Sequence, residues 1–180
     1  ASVAKLFDLS DKAVKEYITV FVDSYLLFEL DLFDFSLKKQ LRNPKKIYAI
    51  DPGVVNAVAF QFSSNVGRLL ENAVFLELRR LGLEMYYYKT HNNLEIDFIA
   101  KKQLKMTIIQ VAWQVQDQKT LEREQRALLS AMDELKLTRG LIITENDEAR
   151  VVAEDKEIIM MPAYKFFSWP TGKKIEFLFE

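Results

Sequence analysis

Apolar side chains recur at Leu70, Ala73, Val74, Leu78 and Leu81, and this 3.6-residue spacing predicts a helix over 66–81 that Gly82 ends. The same spacing at Ala13, Val14, Tyr17, Ile18, Phe21 and Val22 predicts a helix over 11–25, with Ser10 or Asp11 as its N-cap and Lys12, Lys15, Glu16 and Thr19 on the opposite face. A short helix over 2–7 precedes it. Alternating or continuous apolar runs predict strands at 25–37, 45–50, 83–89, 94–101, 105–115, 140–144 and 158–162, and a further helix spans 119–135. The acidic stretch 145–157 reads as a solvated loop.

These elements divide into two modules. Residues 1–62 give helix, turn, helix and then two strands around the basic run KKQLRNPKK (38–46), where Asn43-Pro44 marks a turn. That is the outline of a winged helix with a basic hairpin. A winged helix normally opens with one more helix, expected upstream of residue 1. The polar Ser63-Ser64-Asn65 marks the boundary. Residues 63–180 follow as an α/β domain, a mixed sheet flanked by helices.

Composition narrows the function classes. The chain is 49% hydrophobic and 28% charged, enough to bury a core. Its net charge is −1, so any grip on nucleic acid must be local. No cysteine is present, which removes disulfides, thiolate metal sites and a Cys nucleophile, and fits a cytoplasmic chain. No apolar run reaches the roughly 18 residues of a membrane span. His91 lies alone in a turn, and Ser63 and Ser64 have no histidine at a recognisable spacing.

Candidate chemistry gathers in LEIDFIAKKQLKMTIIQVAWQV (94–115). Strict alternation puts Glu95, Asp97, Ile99 and Lys101 on one face of the first strand. On the second, Ile108, Gln110, Ala112 and Gln114 share a face. Glu71, beside the apolar stripe of the preceding helix, could join Asp97 and Gln110. Three such oxygen donors suit Mg²⁺, which could activate water against a phosphodiester.

A helix with Glu71, a hairpin with Asp97 and a strand with Gln110-Val111-Ala112 resemble the PD-(D/E)xK nuclease superfamily and its restriction-endonuclease-like fold. Over nearly the whole chain, KKIYAIDPGVVNAV, GRLLENAVFLELRRLG, YYYK, EIDFIA, IIQVAWQV and TLEREQRALLSA are similar to the C-terminal region of bacterial and archaeal AAA-type ATPases. The resemblance implies catalytic and metal-holding roles for Glu71, Asp97 and Gln110. It also implies an ATP-binding core upstream, since no P-loop motif occurs here. The family's motif lysine is replaced by Ala112. Lys101 is the leading substitute, ahead of Lys89 and Arg123.

Lys38, Lys39, Arg42, Lys45 and Lys46, with Lys12 and Lys15, are the candidate DNA contacts. Three functions stay open at this stage: a Mg²⁺-dependent nuclease region of an ATPase, a catalytically silent nucleic-acid or protein docking module coupled to that ATPase core, and an assembly domain. Oligomeric state is unassigned.

Overall fold

The computed structural model describes residues 3–58, 66–113, 115, 118–153 and 155–180. The expected boundary at 62/63, Ser63, Ser64 and Gln114 lie outside the described residues. In chain order the elements are α1 (Val3–Leu6), α2 (Asp11–Asp23), β1 (Leu27–Leu30), α3 (Leu37–Arg42), β2 (Lys46–Ala49), α4 (Pro52–Val58), α5 (Val66–Arg80), β3 (Glu84–Lys89), β4 (Glu95–Lys102), β5 (Lys105–Ala112), α6 (Gln118–Leu135), β6 (Arg139–Thr144), β7 (Ala149–Ala153), β8 (Lys156–Pro162), α7 (Ala163–Ser168) and α8 (Thr171–Phe179).

Six strands form one mixed sheet in the order β3-β4-β5-β6-β8-β7. β5, β6 and β8 are parallel, and the outer pairings are antiparallel. The α/β architecture is therefore the one the periodicity predicts. One core lies under α5, where Leu70, Val74, Phe75 and Leu78 meet Phe98, Ile109, Leu141 and Ile143. The other lies under α6, where Ala127, Leu128, Ala131 and Met132 meet Ile96, Ile99, Ile108 and Ile142. Gly140 lets α6 come close: a Cβ there would lie 3.3 Å from Leu128 and 3.4 Å from Met132.

Strict alternation fails in β4. Tyr86 pairs with Ile99 but Tyr88 pairs with Ile96, so β4 carries an extra residue opposite Tyr87. This β-bulge lets Ile96 and Ile99 serve the α6 core while Phe98 serves the α5 core. The expected grouping of Asp97 with Ile99 on one face is corrected accordingly.

The first 58 residues also depart from expectation. Residues 38–46 are not a basic hairpin. Lys38, Lys39 and Arg42 lie on α3, where good helix formers follow Ser36 and Pro44 prevents continuation. The strand expected over 25–37 is only Leu27–Leu30, and it pairs antiparallel with β2. Pro52 and Gly53 open helix α4, which continues to Val58. At the other end, 145–157 is not all loop: β7 pairs with β8, though all five of its residues remain exposed. The aromatic run 165–169 falls in α7 and just beyond it, with Phe166 fully buried.

β1 and β2 are fastened to the larger sheet. Phe33 N–H donates to the Tyr87 carbonyl at 2.7 Å, and Tyr87 N–H donates to the Asp31 carbonyl at 3.0 Å. Asn72 on α5 clasps Ala49 from both sides: its Oδ1 accepts the Ala49 N–H at 2.8 Å and its Nδ2 donates to the Ala49 carbonyl at 2.9 Å. Tyr48 stacks on Phe75 with ring centroids 4.2 Å apart.

Candidate functional site

The clasp and the stack set the register of β2 against α5. Period-two alternation then puts Lys46 on the same face as Tyr48, turned toward α5 and the bulge of β4. Lys46 Nζ lies 2.9 Å from Asp97 Oδ1, 2.9 Å from Glu95 Oε1 and 3.2 Å from Glu71 Oε1. An ammonium has three N–H donors and no acceptor, so three carboxylates saturate it. Tyr48 Oη donates to the same Glu71 oxygen at 2.7 Å.

Asp97 is the buried member, with 8% of its surface exposed. Its Oδ2 accepts the Val111 N–H at 3.0 Å. Burial, and then repulsion from Glu71, push its carboxyl up to about 7, against the pull of Lys46 and of the Val111 N–H. Three carboxylates around one ammonium carry excess negative charge, and a proton on Asp97 relieves part of it. Burial would lower the Lys46 ammonium, but the attraction of Asp97 and Glu71 outweighs it and holds the ammonium above its ordinary value. The Tyr48 phenol is pushed up by burial and then by Glu71.

Gln110 does something else. Its Oε1 accepts the backbone N–H of Asp97 at 3.0 Å, just beyond the last β4–β5 pair, Phe98 with Ile109. Its Nε2 donates to Glu124 Oε2 on α6 at 2.6 Å. Arg123 in turn holds Glu124 Oε1 at 2.5 Å. Asp97 and the β5 segment 110–111 therefore bracket each other, side chain to backbone in both directions. Ala112 is buried in the α6 core.

Of the candidate site residues, Glu71 and Asp97 meet through Lys46, and Gln110 turns to α6. Lys101 is remote: it lies four residues along the strand from Asp97, roughly 13 Å, and pairs with Glu84 at 3.5 Å. Lys89 is peripheral, 3.6 Å from Glu95. Among the candidate DNA contacts, Lys12 pairs with Glu16, Lys39 with Asp34, and Lys45 with Glu29 and Asp31, while Lys46 is enclosed in the cage. Lys15, Lys38 and Arg42 lie on α2 and α3. Lys46, Tyr48 and Glu124 are the site residues that sequence reasoning did not place here. The i, i+2 spacing of Lys46 and Tyr48 was the available signal for the first two.

The donor set does not suit a divalent ion. Such an ion draws oxygens to about 2.1 Å of one point, and that point among Glu71, Glu95 and Asp97 is taken by Nζ. Among the described residues no group of three or more His, Asp or Glu is arranged to hold a metal.

The family model described as "Domain of unknown function (DUF4143)" matches residues 66–165, and another, "Domain of unknown function (DUF8612)", matches residues 1–65. DUF4143 is a domain often found with AAA-type ATPases. An uncharacterized protein of Methanocaldococcus jannaschii, MJ1544, is 37% identical over 92% of this chain and 39% of its own length. An uncharacterized protein of Haemophilus influenzae is 28% identical over 59% of this chain and 26% of its own length. The chain thus spans well under half of these curated relatives. A solved assembly of Thermococcus gammatolerans McrB AAA+ hexamers with bound McrC is similar over 53% of this chain and 27% of the matched one, with 9% identity and a TM-score of 0.39. No helix among the described residues is long and apolar enough to cross a membrane.

Proposed function

Because this chain belongs to the DUF4143 family, we propose that it is a catalytically silent, nuclease-like domain that docks against an AAA-type ATPase core. The observation that carries the reading is the use to which the second strand puts its motif positions. Gln110 spends both ends of its amide on the fold, and Ala112 fills the α6 core where a nuclease of this type would present a lysine. Water activation and transition-state charge stabilisation each need groups free to face a substrate, and these two are not.

The docking half is supported by the distribution of apolar surface. Among the described residues, every large exposed hydrophobic except Leu104, Val151, Val152 and Tyr164 falls within residues 3–54. Helix α2 has apolar side chains at helical spacing and buries none of its residues. Apolar surface gathered in this way marks an interaction face.

A nuclease assay tests the silent half. Supercoiled or single-stranded DNA with Mg²⁺ or Mn²⁺ should be cut no faster by the wild type than by Asp97→Ala. Metal-dependent cleavage lost in Asp97→Ala would overturn the reading. The docking half is tested by Tyr17→Ser/Phe21→Ser in a polypeptide carrying both this domain and an AAA-type core. Unaltered assembly and unaltered ATP hydrolysis would count against it.

A further inference from the structure

We propose that Lys46 is the resident cation of the acidic cluster: the carboxylates of Glu71, Glu95 and Asp97 close around its ammonium where a nuclease of this shape would hold a divalent ion. The assignment deepens the silent reading above and rests on it for what the site does not do. Its own support is geometric. All three carboxylates come within 3.2 Å of one nitrogen. They arrive from different elements, α5 for Glu71 and β4 for Glu95 and Asp97, so no single stretch of sequence brings them together.

The nitrogen is delivered by a rigid arm. Asn72 fixes the Ala49 backbone, the ring of Tyr48 stacks on Phe75, and Tyr48 Oη shares the Glu71 oxygen that Lys46 also contacts. Glu71, Asn72 and Phe75 of α5 all engage β2. The helix that supplies an acid to the cluster therefore also positions the strand that neutralises it.

An internal ammonium differs from a metal in ways that can be measured. It cannot be chelated away or exchanged, and it contributes one positive charge rather than two. The cluster, with three carboxylates around one ammonium, therefore stays short of neutral.

The experiment compares wild type, Lys46→Met and Glu71→Gln by thermal and urea unfolding between pH 4.5 and 8, with EDTA, Mg²⁺ or Mn²⁺, and measures Mn²⁺ binding by electron paramagnetic resonance. Wild type should bind no stoichiometric Mn²⁺, and its midpoint should be the same in EDTA and in Mg²⁺. Lys46→Met should lower the folding equilibrium constant at pH 8 by roughly a hundredfold. That deficit should shrink as the pH falls and the carboxylates take up protons. Adding Glu71→Gln to Lys46→Met should recover part of the loss at pH 8. Should Lys46→Met not fold at pH 8, its folding at pH 4.5 supplies the same comparison, and failure at both pH values would overturn the assignment. Stoichiometric Mn²⁺ in the wild type would overturn it, as would a Lys46→Met deficit independent of pH. DNA cleavage and assembly, which test the silent docking reading, are separate readouts and can fail without these.

Discussion

Lys46 Nζ and Asp97 Oδ1 are 2.9 Å apart, although 51 positions separate them in the chain. The contact joins a short strand of the first module to the bulge of the main sheet, and its pull on the Asp97 carboxyl is outweighed by burial and by repulsion from Glu71.

The Asp97 carboxyl, raised to about 7 from an ordinary 3.8, binds a proton in the folded chain that the unfolded chain releases. Its contribution to stability is thus fully present below about pH 3.8 and is lost as the pH rises through 7. Asp97→Asn should flatten this part of the pH profile. The check is the difference in melting midpoint between pH 5 and pH 8, which should be smaller in the variant than in the wild type.

Restoring the superfamily motif should harm the domain. Gln110→Glu would set a second carboxylate against Glu124, now 2.6 Å from the amide nitrogen, and Ala112→Lys would drive an ammonium into an apolar core. Each should destabilise by about 2 kcal/mol or more, and the double variant should show no metal-dependent cleavage. Urea unfolding and a plasmid-nicking assay read the two outcomes.

Gln110→Ala removes the bracket together with the amide that donates to Glu124. It leaves the Asp97 N–H without its acceptor, a loss of about 1–3 kcal/mol for a buried donor. Amide hydrogen exchange at Asp97 should accelerate with it.

On the far side of α5, Lys174 of α8 donates to Glu77 and to the Phe167 carbonyl, and both ionic side chains are buried. Lys174→Met takes the buried cation from Glu77 and leaves it Arg80, 2.6 Å away at the surface. A destabilisation of about 3 kcal/mol is expected, the size seen when one partner of a buried pair is removed. Chemical denaturation measures it.

Tyr17 and Phe21, by contrast, lie at the surface: they are 57% and 42% exposed. Replacing both with serine should change stability by less than about 0.5 kcal/mol at each site. A large loss would mean that α2 is part of the core and not a docking face.

Much of this was legible in the sequence, for stated reasons. Helix α5 and strands β3 to β6 follow from periodicity because each buries a face against a layer of the same domain. Asp97 stood out because a carboxylate in an apolar run needs a partner. The bulge was not legible: it inserts one residue opposite Tyr87, and alternation counted from Glu95 has no means of detecting it. Helix α3 was hidden because LKKQLR is too short for periodicity to separate a helix from a basic loop. Lys46 was misplaced because its neighbours Lys45 and Arg42 made a charge run, and a charge run conceals that alternate strand residues face opposite ways. Lys45 turns to Glu29 and Asp31 while Lys46 turns to the cage.

The two family-matched segments, 1–65 and 66–165, meet at a seam that is not a thermodynamic one. The carboxylates lie after it and their cation before it. A fragment beginning at residue 66 would carry Glu71, Glu95 and Asp97 without Lys46, with only the peripheral Lys89 beside Glu95, and would lose the Ala49 backbone that Asn72 clasps and the Tyr48 ring that stacks on Phe75. The strand pair and the larger sheet are therefore expected to melt together, in one cooperative transition with equal calorimetric and van't Hoff enthalpies, so the boundary seen by descent is invisible to heat.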